Sequence, residues 1–186
     1  VAVSLRGRFY TRIGSTTTEL TGNALTEFLL KKSGKTWDDV IEEAATLDDI
    51  DEASLKLYIK DAQKSGRMPE VEGLSTLELL EKLRLVSNGK FKRAAIILFG
   101  KDPNRFYPNI MVKVGRFGKD DADLLSQEVL EGNLIQLLKQ LPDLLNNKFL
   151  LKRISFEGMQ RIESDLYPLA ALREMILNAL VHRTYM

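Results

Sequence analysis

Leu169-Ala-Ala-Leu-Arg-Glu-Met-Ile-Leu-Asn-Ala-Leu-Val-His-Arg183 is the stretch on which the fold of this chain turns. On a 3.6-residue period Leu169, Leu172, Ile176, Ala179 and Leu180 share one face, which predicts a helix with that face buried. Glu174, Asn178 and His182 follow one another at i, i+4 and i+8 and form a polar stripe beside it. A carboxylate, an amide oxygen and an imidazole in a row can serve a metal ion and phosphates. The alternative is the solvated side of an amphipathic helix. Asn is a poor helix former, and His182 is the one histidine of the chain, so the stripe departs from the usual Lys and Glu pairing of a helix surface.

Working outward, Tyr167-Pro168 introduces this helix, with Pro near its first turn. Leu150 to Glu157 alternates as a strand does, and Gly158 to Asp165 reads as a connection. Asp120 to about Leu145 reads as one long helix with Leu130, Leu134, Leu137, Leu138 and Leu141 as its stripe, bent or ended at Pro142. Ile110 to Phe117 is an expected strand. Ala94 to Phe99 reads as a buried strand, with a helix as the alternative. Asn88-Gly89 predicts a tight hairpin turn, and Ser75-Thr76-Leu77-Glu78 is a capping box opening a short helix.

In the first part of the chain, Met68-Pro69 to Gly73 is an expected loop. A helix is expected from Asp51 to Lys64, with Asp and Glu in its first turn as the helix dipole prefers. Leu25, Phe28 and Leu29 mark another, ended by Ser33-Gly34, and a short strand or turn is expected around Trp37 to Ile41. Ala2 to Leu5 and Phe9 to Ile13 predict a hairpin, followed by a polar loop from Gly14 to Thr18. The class expected is α/β in the α+β sense. A small N-terminal hairpin-plus-helices region precedes a C-terminal two-layer sheet with helices on one side.

Three ordered phrases resemble one family. They are Arg8-Phe9-Tyr10-x-Arg12-x-Gly14-Ser15 with its Thr run, Ala94-Ala95-Ile96-Ile97-Leu98-Phe99-Gly100-Lys101-Asp102-Pro103, and Glu174-x-x-x-Asn178-Ala179-x-x-His182-Arg183-x-Tyr185. Together they are similar to bacterial and archaeal transcriptional regulators, also described as RecG-related ATP-dependent helicases. Such proteins carry a Schlafen-type (AlbA-like) DNA-binding domain followed by an ATPase-like domain of the gyrase, Hsp90 and histidine-kinase (GHKL) type. The resemblance implies three parts: 1–33 as the tail of the AlbA-like domain, 34–73 as a helical connector, and 74–186 as the start of the ATPase-like domain.

It also implies roles. Glu174 would orient the attacking water and Asn178 would ligate magnesium, while helix geometry brings His182 and Arg183 near the phosphates of ATP. The Asp-x-Gly-x-Gly segment that such ATPases need for adenine does not occur in these 186 residues. On this resemblance the chain is a fragment with half of a nucleotide site. ATP and Mg2+ are then expected only in a longer protein, and hydrolysis by this chain alone is not.

Composition bounds the rest. With 186 residues, 44% of them hydrophobic, the chain can bury a sizeable core. It has no Cys, so disulfides and thiolate metal sites are excluded, and a reducing, cytoplasmic setting is the natural expectation. Its longest apolar run, Ala94 to Phe99, cannot span a bilayer.

Net charge is +1 but unevenly placed. From Gly89 to Lys119 eight basic residues meet only Asp102, whereas Asp38 to Glu52 holds eight acids and no base. Lys90, Lys92 and Arg93 with interleaved aromatics could bind nucleic acid directly, as could Arg8 and Arg12 on the hairpin. Buried aromatics with basic residues facing outward give the same pattern. The family resemblance implies DNA as the partner of the full-length protein; no membrane association is expected, and homo-oligomerisation is left open. Against a catalytic or DNA-contacting role stands a third reading, a non-catalytic interaction module linking a DNA-binding domain to partners.

Overall fold

The computed structural model describes residues 3–66, 71, 73–183 and 185. The elements run β1 (Val3–Leu5), β2 (Arg8–Ile13), β3 (Thr16–Leu20), α1 (Gly22–Lys32), α2 (Glu52–Lys64), α3 (Thr76–Lys82), β4 (Val86–Ser87) and β5 (Lys90–Phe91). They continue with α4 (Arg93–Phe99), β6 (Met111–Phe117), β7 (Leu124–Glu131), α5 (Leu134–Leu144), β8 (Arg153–Glu157), β9 (Gln160–Ser164) and α6 (Leu169–Val181). The class is α+β. Among the described residues the strands form one three-stranded antiparallel sheet, β1-β2-β3, and three separate two-stranded hairpins.

Where a signal is local, the structure follows it. The Ser75 hydroxyl accepts from the Glu78 amide while the Glu78 carboxylate accepts from the Ser75 amide at 2.7 Å, which closes the capping box of α3. Asn88 and Gly89 both take positive φ, 52° and 72°, as the tight turn of a twisted hairpin requires. Asp51 caps α2 by accepting from the Ala53 amide, and α1 ends at Ser33 before Gly34. The loop expected over Met68 to Gly73 falls largely outside the described residues.

Four expectations are corrected. Asp120 to Leu145 is not one helix: Leu124–Glu131 pairs as β7 with β6, from Met111 against Glu131 to Phe117 against Leu124. Gly132, at φ 132°, then turns the chain, and the Asn133 side chain accepts from the Gln136 amide to start α5. The leucines on both sides of Gly132 suit either period, so the break was hidden. Ala94 to Phe99 is the helical alternative, with Ala95, Ile96, Ile97 and Phe99 all buried. Thr16 to Leu20 is a third strand rather than loop, paired with β2 from Ile13–Thr16 to Phe9–Leu20. The segment after Gly158 likewise pairs, as β9 with β8.

One apolar core extends from Ile50 and Leu55 through Leu80, Phe91, Ile96, Phe99 and Leu137 to Leu172, Ile176 and Leu180. It therefore runs without a break across residue 73. The N-terminal sheet lies outside it. None of the residues of α1 is buried, and Phe9 meets Phe28 at 6.2 Å between ring centres. Among the described residues no helix is long and apolar enough to cross a membrane.

Candidate functional site

On α6 the structure separates the two faces as the period predicts, with Leu172, Ile176 and Leu180 buried. Leu169 and Ala179, expected on that face, are exposed. Glu174 and Asn178 lie on the solvent side, where the Asn178 Nδ2 donates to the Glu174 carboxylate at 3.2 Å. His182 is the exposed residue that ends the helix. Arg183 faces elsewhere: its guanidinium donates to the carbonyls of Met111, at 2.7 Å, and Asn109, at 2.5 Å. It thereby fastens the end of α6 to the start of β6.

Glu174 and Asn178 together are a carboxylate and an amide within one turn. Asn178 Oδ1 has no hydrogen-bond donor among the described residues, so it is free to accept or ligate. No group of three or more His, Asp or Glu that could hold a metal is found among the described residues.

The basic segment meets the acidic run. Backbone bonds first align them: Glu42 N donates to Phe91 O, Arg93 N to Val40 O, Asp51 N to Phe99 O and Lys101 N to Asp49 O. The side chains then pair. Lys90 reaches Glu43 at 2.5 Å, Lys92 reaches Asp39 at 2.9 Å, and Arg105 reaches Asp49 at 3.0 Å. Arg93 Nε lies 4.0 Å from Glu42. Thus Lys90, Lys92 and Arg93, the candidates for nucleic-acid contact, each face a carboxylate of their own chain.

Exposed pairs of this kind contribute only about 0–1 kcal/mol each. The alignment is held by the backbone bonds and by Ile50, Phe91, Ala95 and Phe99 buried beneath them. The hydrogen bond from Lys92 holds the Asp39 carboxyl below its usual range. At Asp49 burial pushes the other way, but hydrogen bonds from the Thr46 amide and hydroxyl prevail, and its carboxyl is also lowered.

Arg8 and Arg12 remain on the exposed N-terminal sheet. Arg8 lies 3.6 Å from Glu19, and the Arg12 Nε donates to the Gly14 carbonyl.

Next to the clasp lies a cluster that the sequence did not single out. The Tyr107 hydroxyl donates to Glu42 at 2.5 Å, its ring meets Trp37 edge-on at 5.0 Å, and the Arg93 guanidinium sits 4.7 Å over the Trp37 ring. Burial, and then the Glu42 carboxylate, push the Tyr107 phenol well above its usual range. A phenol kept protonated in this way is a positioning donor rather than a nucleophile. Trp37 and Tyr185 border both of two neighbouring cavities, of about 350 and 380 Å³. Trp37 carried a signal only as the chain's single tryptophan.

A second polar cluster, also unforeseen, is centred on two buried residues, Asn133 and Ser54. Asn133, with none of its surface exposed, donates to Ser54 Oγ at 3.0 Å and to the Gly100 carbonyl at 2.9 Å. Ser54 and Gln136 in turn donate to Asp51 Oδ2. Burial raises the Asp51 carboxyl, yet these hydrogen bonds outweigh it and leave it lowered. Every polar atom named here has a partner, so the cluster ties α2, α4 and α5 together and leaves no group to react.

With this geometry in place, comparisons with known proteins are informative about the middle of the chain. Residues 27–113 match the model of a family described as a domain of unknown function, DUF8451. That stretch contains both sides of the acid–base clasp, Trp37 and Tyr107. Across its full length the chain is similar in fold to the crystal structure of the DIP2311 protein from Corynebacterium diphtheriae, at a TM-score of 0.51 and 20% identity. The chain spans 39% of that protein's length. No curated protein matches it.

Proposed function

We propose that this chain is a non-catalytic interaction module, which joins the DNA-binding region of a larger transcriptional regulator to a protein partner. The DNA-binding and regulatory part of this reading rests on the sequence resemblance. The module part rests on one observation: α6 is apolar but for Arg173, Glu174 and Asn178, and Met175, Leu177 and Val181 remain exposed away from its buried face. A helix of this character is ordinarily covered. The β8–β9 hairpin before it adds Ile154, Phe156 and Met159, also exposed. Exposed apolar surface on this scale marks a place where another apolar surface docks. The pairing of Lys90, Lys92 and Arg93 with carboxylates supports the same reading, since it weakens the positive field that nucleic acid would need.

Sedimentation velocity over a wide concentration range tests it. The isolated chain is expected to self-associate reversibly through its uncovered face, and Met175→Glu with Phe156→Glu is expected to keep it monomeric. A wild-type chain that stays monomeric at every concentration would remove the support.

A second reading is a magnesium-nucleotide site, favoured by the free Oδ1 of Asn178 beside Glu174. Calorimetric titration of magnesium-ATP separates the two. Saturable binding lost in Asn178→Ala would replace the module reading, and no binding is the expected result.

A further inference from the structure

The cavity of about 350 Å³ lies at the seam where α1 meets the body of the molecule, and its wall is chiefly apolar: Leu30 from α1, Trp37, Ile97 and Leu98 from the body, Val181 and Tyr185 at the chain's far end. Its size falls within the range of small-molecule sites. Charge lies on its border. Lys31 is occupied by Glu27 at 2.5 Å. Among the described residues Lys35 has no partner for its amine, and Arg183 bonds to two neutral carbonyls and lies 5.5 Å over the Tyr185 ring, so neither cation has a carboxylate partner there. Asp38 is the one remaining acid on the border. The balance there is one uncompensated positive charge beside an apolar chamber.

We propose that this cavity binds a small apolar carboxylate, its hydrocarbon or aromatic part inside and its anionic end at Lys35 and Arg183. The consequence is regulatory. Helix α1 has no buried residue of its own, and a ligand lying against Leu30 gives it an apolar contact to the body. Occupancy would therefore tighten the N-terminal sheet and α1 against the core. The site shares no residue with the exposed face of α6 apart from Val181, so it stands whether or not that face docks a protein.

The chain reports on the cavity itself, because Trp37 is its single tryptophan and forms part of the wall. Octanoate and octylammonium, which have the same apolar tail and opposite charges, are the probes. Octanoate is expected to shift Trp37 emission saturably, and octylammonium to bind at least about tenfold more weakly. Ala94→Leu, which fills the wall, should abolish the shift. Lys35→Glu, at an exposed position that leaves the fold intact, should weaken octanoate about tenfold and narrow the gap between the probes. Equal response to both probes, no saturation, or octanoate binding unchanged in Lys35→Glu would overturn the proposal.

Discussion

Asn133 and Asn178 make the same contribution to the sequence and opposite ones to the molecule. Asn133 caps α5 from within the core, where Ser54, Gly100 and Gln136 take up its side chain and the Gln136 carboxamide accepts from its backbone amide. The Asn178 side chain stands on the solvent side of α6, with one hydrogen bond among the described residues, to Glu174. The periodic stripe on α6 drew attention to the second, yet the first organises the fold. A polar residue in the interior must have every partner supplied by the structure around it, and removing it leaves those partners stranded. At the surface, water replaces whatever is lost.

The largest test of that contrast is Asn133→Ala. It removes a helix cap and leaves the Gly100 carbonyl without its donor, so a loss of about 3 kcal/mol in urea denaturation is expected. A loss under about 1 kcal/mol would show that the buried network is not what holds α5. Asn178→Ala, by contrast, should change stability by less than about 0.5 kcal/mol in the same measurement.

Between these lies the response to acid. The carboxyls of Asp39, Asp49 and Asp51 titrate below their usual 3.8 in the folded chain. A group lowered on folding adds stability that is present above its unfolded value and lost as pH falls through its folded one. Thermal midpoints should thus hold down to about pH 5 and fall progressively below it. Lys92→Ala takes away the principal cause at Asp39 and is expected to make that fall shallower. An acid limb with the same slope in the variant would place the titration elsewhere.

The acid–base clasp shows where sequence reasoning stops. Both charged stretches were plain in the sequence, and their opposite signs invite pairing. That Lys90 would find Glu43 and Lys92 would find Asp39 depended on the backbone bonds between residues 38–51 and 91–101, which bring together positions about fifty apart. The Trp37, Tyr107 and Arg93 cluster is of the same kind, since its members come from three separate stretches. On α6, helix geometry suggests that Arg183 lies with His182 near a bound phosphate, whereas its guanidinium turns to the carbonyls at the start of β6, a strand more than fifty residues earlier.

What the sequence determined by itself was local. The Ser75–Glu78 capping box, the Asn88-Gly89 turn and the Asp51 start of α2 each depend on residues within about a turn of one another, so the chain carries the whole instruction. Tertiary structure alone decided that Leu124 to Glu131 extends as a strand, because β6 offers it a partner, and that Ala94 to Phe99 coils as a buried helix. It also decided which acid meets which base and which asparagine is enclosed. Burial and long-range pairing are properties of distance in space, and a sequence states distance only along the chain.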